Sequence, residues 1–466
     1  MGSRALRTIL FAVCIPALLV AAALTPGQKA LLAGGGRHGK AGWIYLHVEG
    51  AARARGFQQG YLLAPEIERG LKACRLNWTY DTGMSWGWLV ARAGAAFAPR
   101  LDPENRAELE GIAEGLAAAG IATSLPELTA YNGWSEFTQY WWPLELGRIK
   151  GYPVRIPPRE SCSAFIATGS WTADHGIVMG HNNLTGYQEP LCNVVMDVVP
   201  DRGHRILMQS LAGWVHSGSD FFVTDAGLVG TETTLGSFDA YDPDGVPEFA
   251  RMRRATQDAG SIDEWCALMK AGNTGGYANA WLLGDVRTGE IARLELGLRH
   301  VGFERTRDGW FSGSNVPENL QILRLETTAK ETDITRSGVA RRLRWRQLLT
   351  RNRGRIDLEA AKAFESDHVD MAAGRERAGS RSLCTHLDLD EGSDPPFSPE
   401  GCTDAKVLDS AMARSMAFSA RWGAPCGAPF DAPAFLEAHP QFDWIRDILP
   451  SRPSQPWAVF RAGEKE

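Results

Sequence analysis

Cys162 has the greatest potential for covalent chemistry in this sequence, because it follows a proline-rich stretch and begins a strand-like one. Residues 151–160 read GYPVRIPPRE, and the three prolines exclude a regular helix or strand there. Attack of the Cys162 thiol on the Ser161 carbonyl would cut the chain between these residues. Cys162 would then carry its own base, because a free α-amino group has a pKa of about 7.7–8.0.

The elements that must position Cys162 are predicted from short apolar runs with turn residues between them. Residues 163–168 and 177–180 flank a turn at 174–176, so Cys162 begins a β-hairpin. Three further hairpins are predicted at 194–209, 221–233 and 280–296. Helices are predicted at 102–120, with Asp102 as the cap, and at 247–271, divided by a capping box at Ser261 and Glu264. We therefore expect an α+β fold with helices packed on antiparallel sheets.

The composition is that of an ordinary globular protein of one large or two medium domains. The 466 residues are 44% hydrophobic and 22% charged, and the net charge is only −6. No clustered basic stretch indicates nucleic-acid binding. Arg4 and Arg7 precede an apolar run at 9–24, which predicts a signal peptide at 1–23, with an uncleaved anchor as the alternative. The predicted destination is secreted, periplasmic or the lysosomal lumen.

Export affects how the eight cysteines are interpreted, because disulfides form in oxidising compartments. Removal of the signal peptide would remove Cys14 and leave an odd number of cysteines in the mature chain. An odd number indicates at least one free thiol. Cys384 with Cys402 is the preferred disulfide, and several unpaired buried cysteines are the alternative. Asn77 and Asn183 begin glycosylation sequons, and we expect only Asn77 to be usable, in a eukaryotic source.

Several common site motifs are excluded. Residues 34–42 read GGGRHGKAG, but the dinucleotide and phosphate-loop motifs require a strand before the glycines and a helix after them. We expect this stretch to be a flexible start of the mature chain. The sequence has no G-x-S-x-G elbow and no H-E-x-x-H zinc helix. Neither a cofactor nor a metal site is expected.

Short motifs in a fixed order resemble the phospholipase B-like family. They are CSAFIATGSWTADHGIVMGHNN at 162–183, LAGWVHSGSDFF at 211–222, GLVGTETTLG at 227–236, NTGGYANAW at 273–281, SNVP at 314–317, SRS at 380–382 and GCTDAKV at 401–407. Residues 47–67 also resemble acyltransferases of the same mechanistic class. The resemblance implies an N-terminal-nucleophile hydrolase with a four-layer αββα fold. It divides the chain into an N-terminal fragment at 24–161 and a catalytic chain at 162–466, which stay associated after cleavage.

The resemblance also implies roles for individual residues. Cys162 is the expected nucleophile. His181 is expected to orient groups or relay a proton, with a structural hydrogen bond as the alternative. Asn315 is expected to be the amide that holds the oxyanion, with a turn role as the alternative. Further candidates are Asn279 as a second catalytic amide, and Asn182, Thr233, Thr234 and Trp214 as substrate-pocket residues.

The leading hypothesis is an enzyme that cleaves acyl esters of lipids through an acyl-enzyme. One alternative is an amide hydrolase or acyltransferase for N-acyl amino compounds, because the same cysteine and oxyanion site serve both reactions. The other alternative is a secreted binding protein that kept the fold and lost its activity. The predicted partner is a lipid or acylated small molecule rather than a nucleic acid, and a homodimer is left open.

Overall fold

The computed structural model describes residues 23–154, 161–218, 221–238 and 240–465. The predicted signal peptide, apart from Ala23, and residues 155–160 of the proline-rich stretch lie outside the described residues. No helix in the described ranges is both long and apolar enough to cross a bilayer.

Helices and strands alternate along the chain in blocks. The helices are α1 (Pro26–Leu32), α2 (Ala52–Leu62), α3 (Ala64–Thr82), α4 (Trp86–Ala96), α5 (Pro103–Ala118), α6 (Leu125–Asn132), α7 (Trp134–Glu136), α8 (Trp142–Lys150), α9 (Glu248–Asp258), α10 (Ile262–Lys270), α11 (Leu320–Leu325), α12 (Ser337–Arg351), α13 (Leu358–Glu365), α14 (Ser410–Arg414) and α15 (Ala432–Ala438). The strands are β1 (Gly36–Lys40), β2 (Trp43–Gly50), β3 (Ser163–Thr168), β4 (Val178–Gly186), β5 (Val194–Pro200), β6 (Ile206–Ser210), β7 (Phe221–Thr224), β8 (Leu228–Thr234), β9 (Asn279–Asp285), β10 (Glu290–Leu296), β11 (Val301–Thr306), β12 (Gly309–Gly313), β13 (Val369–Asp370), β14 (Arg375–Glu376), β15 (Glu400–Asp409), β16 (Ala417–Trp422) and β17 (Ala458–Arg461).

Two large sheets form the centre of the protein. The nine-stranded sheet has the order β1-β2-β5-β6-β7-β8-β9-β10-β11, and the six-stranded sheet has the order β12-β3-β4-β15-β16-β17. The pairings are antiparallel apart from β2 with β5, which run parallel over seven residue pairs. The expectation of antiparallel sheets is therefore confirmed with this one exception. The parallel pairing joins β2, which precedes residue 161, to β5, which follows residue 162.

The buried side chains define four layers. One core lies between the two sheets and includes Trp43, Val195 and Leu282 from the larger sheet and Ile166, Met179 and Phe418 from the smaller one. Helices α2–α6, α9 and α10 cover the other face of the larger sheet. On the far side, Trp345 of α12 and Phe364 of α13 pack on Phe165 and Val407 of the smaller sheet. Each sheet thus buries both faces, and the predicted αββα architecture is confirmed.

Local signals in the sequence placed eleven of these elements correctly, namely α5, α9, α10 and β3–β10. The Asp102 carboxylate accepts hydrogen bonds from the backbone N–H groups of Glu104 and Asn105 at the start of α5. The Ser261 hydroxyl accepts a hydrogen bond from the Glu264 backbone N–H. This cap begins α10 and marks its boundary with α9. The predicted flexible start at 34–42 is wrong, because Gly36–Lys40 pairs with β2 along its whole length. Strand β2 follows it instead of a helix, which agrees with the exclusion of nucleotide motifs.

Two expectations about modification are not met by the fold. None of the seven cysteines among the described residues is in a disulfide, so the preferred Cys384–Cys402 disulfide is not formed. Asn77 lies inside α3 with 2% of its surface exposed. Asn183 is also buried and hydrogen-bonded to Thr403 and Asp404. Neither sequon is therefore accessible to a glycosyltransferase in the folded chain.

Candidate active site

Cys162 lies immediately before β3, buried between the two sheets. Its backbone has a φ of +66°, a left-handed conformation that is strained for a residue with a β-carbon. Ser163 pairs with Asn182 across the β3–β4 hairpin, so Cys162 and Asn183 fall on the same sheet face. The Cys162 Sγ donates to Asn183 Oδ1 at 3.6 Å. The hairpin predicted from the sequence therefore places this thiol against an amide of the neighbouring strand.

Asn315 contacts the peptide bond that precedes Cys162. It follows β12, also has a positive φ, of +69°, and its carbonyl accepts a hydrogen bond from the Gly236 N–H at 2.9 Å. Its side-chain Nδ2 donates to the carbonyl oxygen of Ser161 and to that of Thr234. An amide donor thus lies on the oxygen that would become negative if the Ser161 carbonyl were attacked.

Arg341 completes this arrangement and was not predicted from the sequence. It lies on α12 and is fully buried. Its Nη1 donates to the Cys162 carbonyl oxygen at 2.6 Å, and its Nη2 donates to Asn315 Oδ1 at 2.6 Å. One planar guanidinium therefore fixes both the residue after the candidate scissile bond and the amide that contacts it. No local motif marks Arg341, because it reaches the site through the packing of α12 on the smaller sheet.

His181 lies on β4 between Ala164 of β3 and Lys406 of β15, and it is fully buried. Burial lowers the pKa of His181 well below its ordinary value, and the nearby charge of Lys406 lowers it further, so the imidazole is neutral. Its ring nitrogens make no hydrogen bond of ordinary geometry to the described residues. The structure thus places His181 in the same sheet as the thiol, and its relay or orienting role stays a prediction.

Asn183 connects the thiol to a buried charged group. Its Nδ2 donates to Asp404 Oδ2 at 3.0 Å, while its Oδ1 accepts from Cys162. The Lys406 ammonium contacts Asp404 and donates to Gln209 Oε1 of the larger sheet at 3.0 Å. This network was not predicted. The HNN sequence at 181–183 could have identified Asn183, because side chains alternate along a strand and put residues 181 and 183 on one face.

The structure places Asn182 and Trp214 away from the thiol, and it places Asn279 beside the strand residue that Asn315 contacts. Asn182 points to the opposite face of β4, where its Nδ2 donates to the carbonyls of Glu365 and Leu383. Asn279 pairs with Thr234 at the start of β9, and both of its amide atoms lack a hydrogen bond to the described residues. Trp214 packs edge-on against Tyr131 and stacks on His216 in the helix-side core. Asn182 and Trp214 therefore do not form the pocket wall that was expected of them.

The two threonines lie close to the Asn315 segment. Thr233 faces Gly313 so closely that a β-carbon at Gly313 would lie 2.1 Å from the Thr233 Oγ1. Thr234 contributes its carbonyl oxygen to the Asn315 amide. Strand β8 therefore supports the Asn315 segment, and the Thr234 hydroxyl makes no hydrogen bond to the described residues.

A cleft of about 390 Å³ reaches the candidate scissile bond. Its walls include Trp78, Trp134 and Trp142 from the helices before residue 161, and Ser161, Thr185 and Glu189 around the site. Both predicted fragments thus contribute to the cleft. The three indole rings share the wall with polar side chains and with the carboxylates of Asp81, Glu189 and Glu400.

Comparisons with known proteins agree with the predicted resemblance. The sequence profile of the family described as Phospholipase B matches residues 150–295. The protein named putative phospholipase B-like 2 in Mus musculus is 28% identical over 144 residues, covering 27% of this chain and 24% of the mouse protein. The protein named putative phospholipase B-like 1 in Caenorhabditis elegans is 25% identical over 271 residues, covering 50% of this chain and 48% of the worm protein.

The chain thus spans between about a quarter and about half the length of these curated relatives. Among solved structures, a mutant of the conjugated bile acid hydrolase from Clostridium perfringens superposes with a TM-score of 0.33 at 11% identity, covering 56% of this chain and 89% of that chain. The resemblance to the phospholipase B-like family is confirmed over a segment that includes Cys162 and His181.

Proposed function

We propose that this chain is the precursor of an exported hydrolase that cleaves itself before Cys162 and then uses Cys162 to break acyl bonds. The observation that carries the proposal is the hydrogen bond from Asn315 Nδ2 to the Ser161 carbonyl. An amide donor at this oxygen polarises the carbonyl and stabilises the charge that develops when a nucleophile attacks it. The strained backbone of Cys162 favours the same step, because cleavage releases that strain.

The cleavage would proceed in two stages. The Cys162 sulfur attacks the Ser161 carbonyl carbon, the bond from that carbon to the Cys162 nitrogen breaks, and the nitrogen takes up the thiol proton. The resulting thioester joins the Ser161 carbonyl to the Cys162 sulfur. Water then hydrolyses the thioester, leaving a carboxylate on Ser161 and a free thiol and α-amine on Cys162. Arg341 holds the Cys162 carbonyl and the Asn315 amide in place during both stages.

Cleavage would also prepare the site for a substrate. The new α-amine accepts the thiol proton near neutral pH, so no separate base is needed. Once Ser161 leaves, the Asn315 Nδ2 can donate to the oxyanion of a bound acyl group. The cleft beside Ser161 would hold the acyl chain against Trp78, Trp134 and Trp142. The resemblance to the phospholipase B-like family favours a lipid-like ester as the substrate, with an N-acyl amide as the alternative.

Mass analysis of the purified protein tests self-cleavage. Wild type should yield two polypeptides, the second beginning at Cys162, and a Cys162→Ala variant should remain one chain. Asn315→Ala should cleave more slowly by about 10²–10³-fold, because one oxyanion donor is lost. Asn352→Ala is the matched control, since Asn352 only caps the end of α12, and it should cleave like wild type. An uncut wild-type protein that hydrolyses substrate would refute the mechanism.

A substrate pair separates ester from amide chemistry. The processed enzyme should be incubated with a lysophospholipid and with an N-acyl amino acid of the same acyl chain. Faster release of fatty acid from the ester is the expected result. Hydrolysis of neither compound, with cleavage at Cys162 intact, would favour the inactive binding protein.

A further inference from the structure

Four side chains with metal-binding atoms meet on the smaller-sheet side of the molecule, apart from the proposed active site. They are His368 just before β13, Cys384 and His386 in the loop after β14, and Cys426 after β16. Their ligand atoms all lie within 4.8 Å of one another. The Nε2 of His386 is 3.4 Å from the Sγ of Cys384 and 3.5 Å from the Sγ of Cys426.

The two separations from the His386 Nε2 match the sulfur–nitrogen edges of a tetrahedral zinc site. Zinc lies about 2.3 Å from a cysteine sulfur and about 2.0–2.1 Å from a histidine nitrogen, so tetrahedral angles put the sulfur and nitrogen about 3.6 Å apart. Two thiolates with two imidazoles are also a ligand set typical of structural zinc. The three chain segments have therefore brought two donor pairs to the spacing that the ion requires and the other pairs to within 4.8 Å.

The surroundings of the two histidines support the same conclusion. While the His386 Nε2 faces the thiols, its Nδ1 faces Asp388 Oδ1 at 3.7 Å. Asp388 is in turn held by the Tyr187 hydroxyl at 3.1 Å. A carboxylate behind a ligating imidazole is the usual arrangement that orients histidine toward zinc. The His368 Nε2 is buried and makes no hydrogen bond of ordinary geometry to the described residues.

We propose that His368, Cys384, His386 and Cys426 bind one Zn²⁺ in a closed, structural site. Four protein ligands fill the tetrahedron, so no position remains for water or substrate, and the ion takes no part in the hydrolysis. This proposal departs from the expectation of no metal site. Sequence reasoning missed the site because its ligands are spread between 368 and 426 and match no compact spacing of paired cysteines and histidines.

The site would tie together the segments that support β4 from outside. Asn182 of β4 donates to the carbonyls of Glu365 and Leu383, which lie a few residues before His368 and directly before Cys384. Zinc would therefore fix the backbone that receives both hydrogen bonds. Strand β4 carries His181 and Asn183 on its other face, so we expect the ion to stabilise the layer behind the proposed active site.

Metal content and cobalt substitution test the site independently of enzymatic activity. The full chain, purified without a polyhistidine tag, should contain one zinc per chain by inductively coupled plasma mass spectrometry. After removal of the metal under reducing conditions, titration with Co²⁺ should give the visible bands of tetrahedral cobalt and a thiolate-to-cobalt charge-transfer band. A Cys384→Ser/Cys426→Ser variant should lose both signals, and Cys266→Ser, a buried thiol on α10, should keep them.

The wild-type titration decides the question even if the double variant does not fold. A tetrahedral thiolate spectrum that saturates at one Co²⁺ per chain and is displaced by Zn²⁺ supports the site. Octahedral cobalt or no saturable binding to the reduced, folded chain would overturn it. A Cys384–Cys426 disulfide in protein purified with zinc present and without reductant would also overturn it. The active-site proposal would be untouched by that result, because cleavage at Cys162 is measured separately.

Discussion

Arg341 is the residue on which the geometry of the candidate scissile bond depends most. Its guanidinium donates to both the Cys162 carbonyl and the Asn315 side chain. A lysine in its place would keep the charge but could not make the two parallel donations. The arginine therefore has a positioning role that charge alone does not fulfil.

We expect Arg341→Met and Arg341→Lys each to slow self-cleavage by about 10²-fold or more, because Asn315 would lose the contact that aims it at Ser161. The measurement is a time course of intact mass after synthesis in a cell-free system. Arg346→Met is the control, since Arg346 is exposed on the same helix. Cleavage at the wild-type rate in a folded Arg341→Met protein would contradict this role.

Single residues were predicted from the sequence only where a local pattern marks them. Cys162 was found because it follows a proline-rich stretch and begins the family-like segment at 162–183, and Asn315 because it lies in the SNVP motif. Arg341 has no such marker: it is one of several arginines on α12, and only the packing of that helix selects it. Asn182 was expected in the substrate pocket but lies on the opposite face of β4. A motif does not say which face of a strand a side chain occupies.

At the scale of elements, α2 and α5 cross unusually closely, and glycines allow it. A β-carbon at Gly56 would lie 2.0 Å from the Glu108 carbonyl oxygen, and one at Gly111 would lie 2.3 Å from that of Arg53. The contacted atoms belong to backbone, so a rotamer change cannot relieve the clash. This helix pair covers the larger sheet in the fragment before residue 161.

We expect Gly111→Ala to destabilise the protein by about 1–3 kcal/mol, because the two helices must separate. The measurement is urea unfolding of the uncut Cys162→Ala chain. Gly87→Ala in α4 is the control, since no atom lies within 4 Å of the added β-carbon. It should be neutral or stabilising by up to about 1 kcal/mol. Equal midpoints for both variants would show that the close crossing is not required.

Elements with hydrophobic patterning were predicted well, and those held by long-range pairing were not. The hairpins and the capped helices have local signals in their turns and caps. Strand β1 reads GRHGK, without the alternation that identifies a strand, and it forms because β2 offers a free edge. Long-range packing of this kind is also what brings Cys426 to Cys384.

At the scale of the whole molecule, a charged cluster joins the two predicted fragments. Asp197 of β5 accepts hydrogen bonds from His47 of β2 at 2.7 Å and from Arg205 at 2.8 Å. The hydrogen bond with Asp197 raises the pKa of His47 despite the opposing effect of partial burial. Burial alone would raise the pKa of Asp197, but the hydrogen bonds from Arg205 and His47 outweigh it and lower the pKa strongly.

These shifts predict how stability depends on pH. Because the folded pKa of His47 is raised, its contribution is fully present below the unfolded value of about 6.5 and is lost as pH rises through the folded value. The effect should stay below about 1 kcal/mol, because the imidazole is partly exposed. In the uncut Cys162→Ala chain, His47→Gln should lower the melting temperature at about pH 6 and much less at about pH 8.5. A pH-independent difference would contradict the assignment.

The parallel pairing of β2 with β5 would give the proposed self-cleavage a consequence for how long the enzyme lasts. The uncut chain folds as one molecule, at a rate that does not depend on its concentration. If the proposed cut is made, the same sheet must be rebuilt from two molecules that first have to meet, so recovery from denaturant should fall with dilution. The working enzyme would then survive through a slow rate of unfolding and not through repeated refolding.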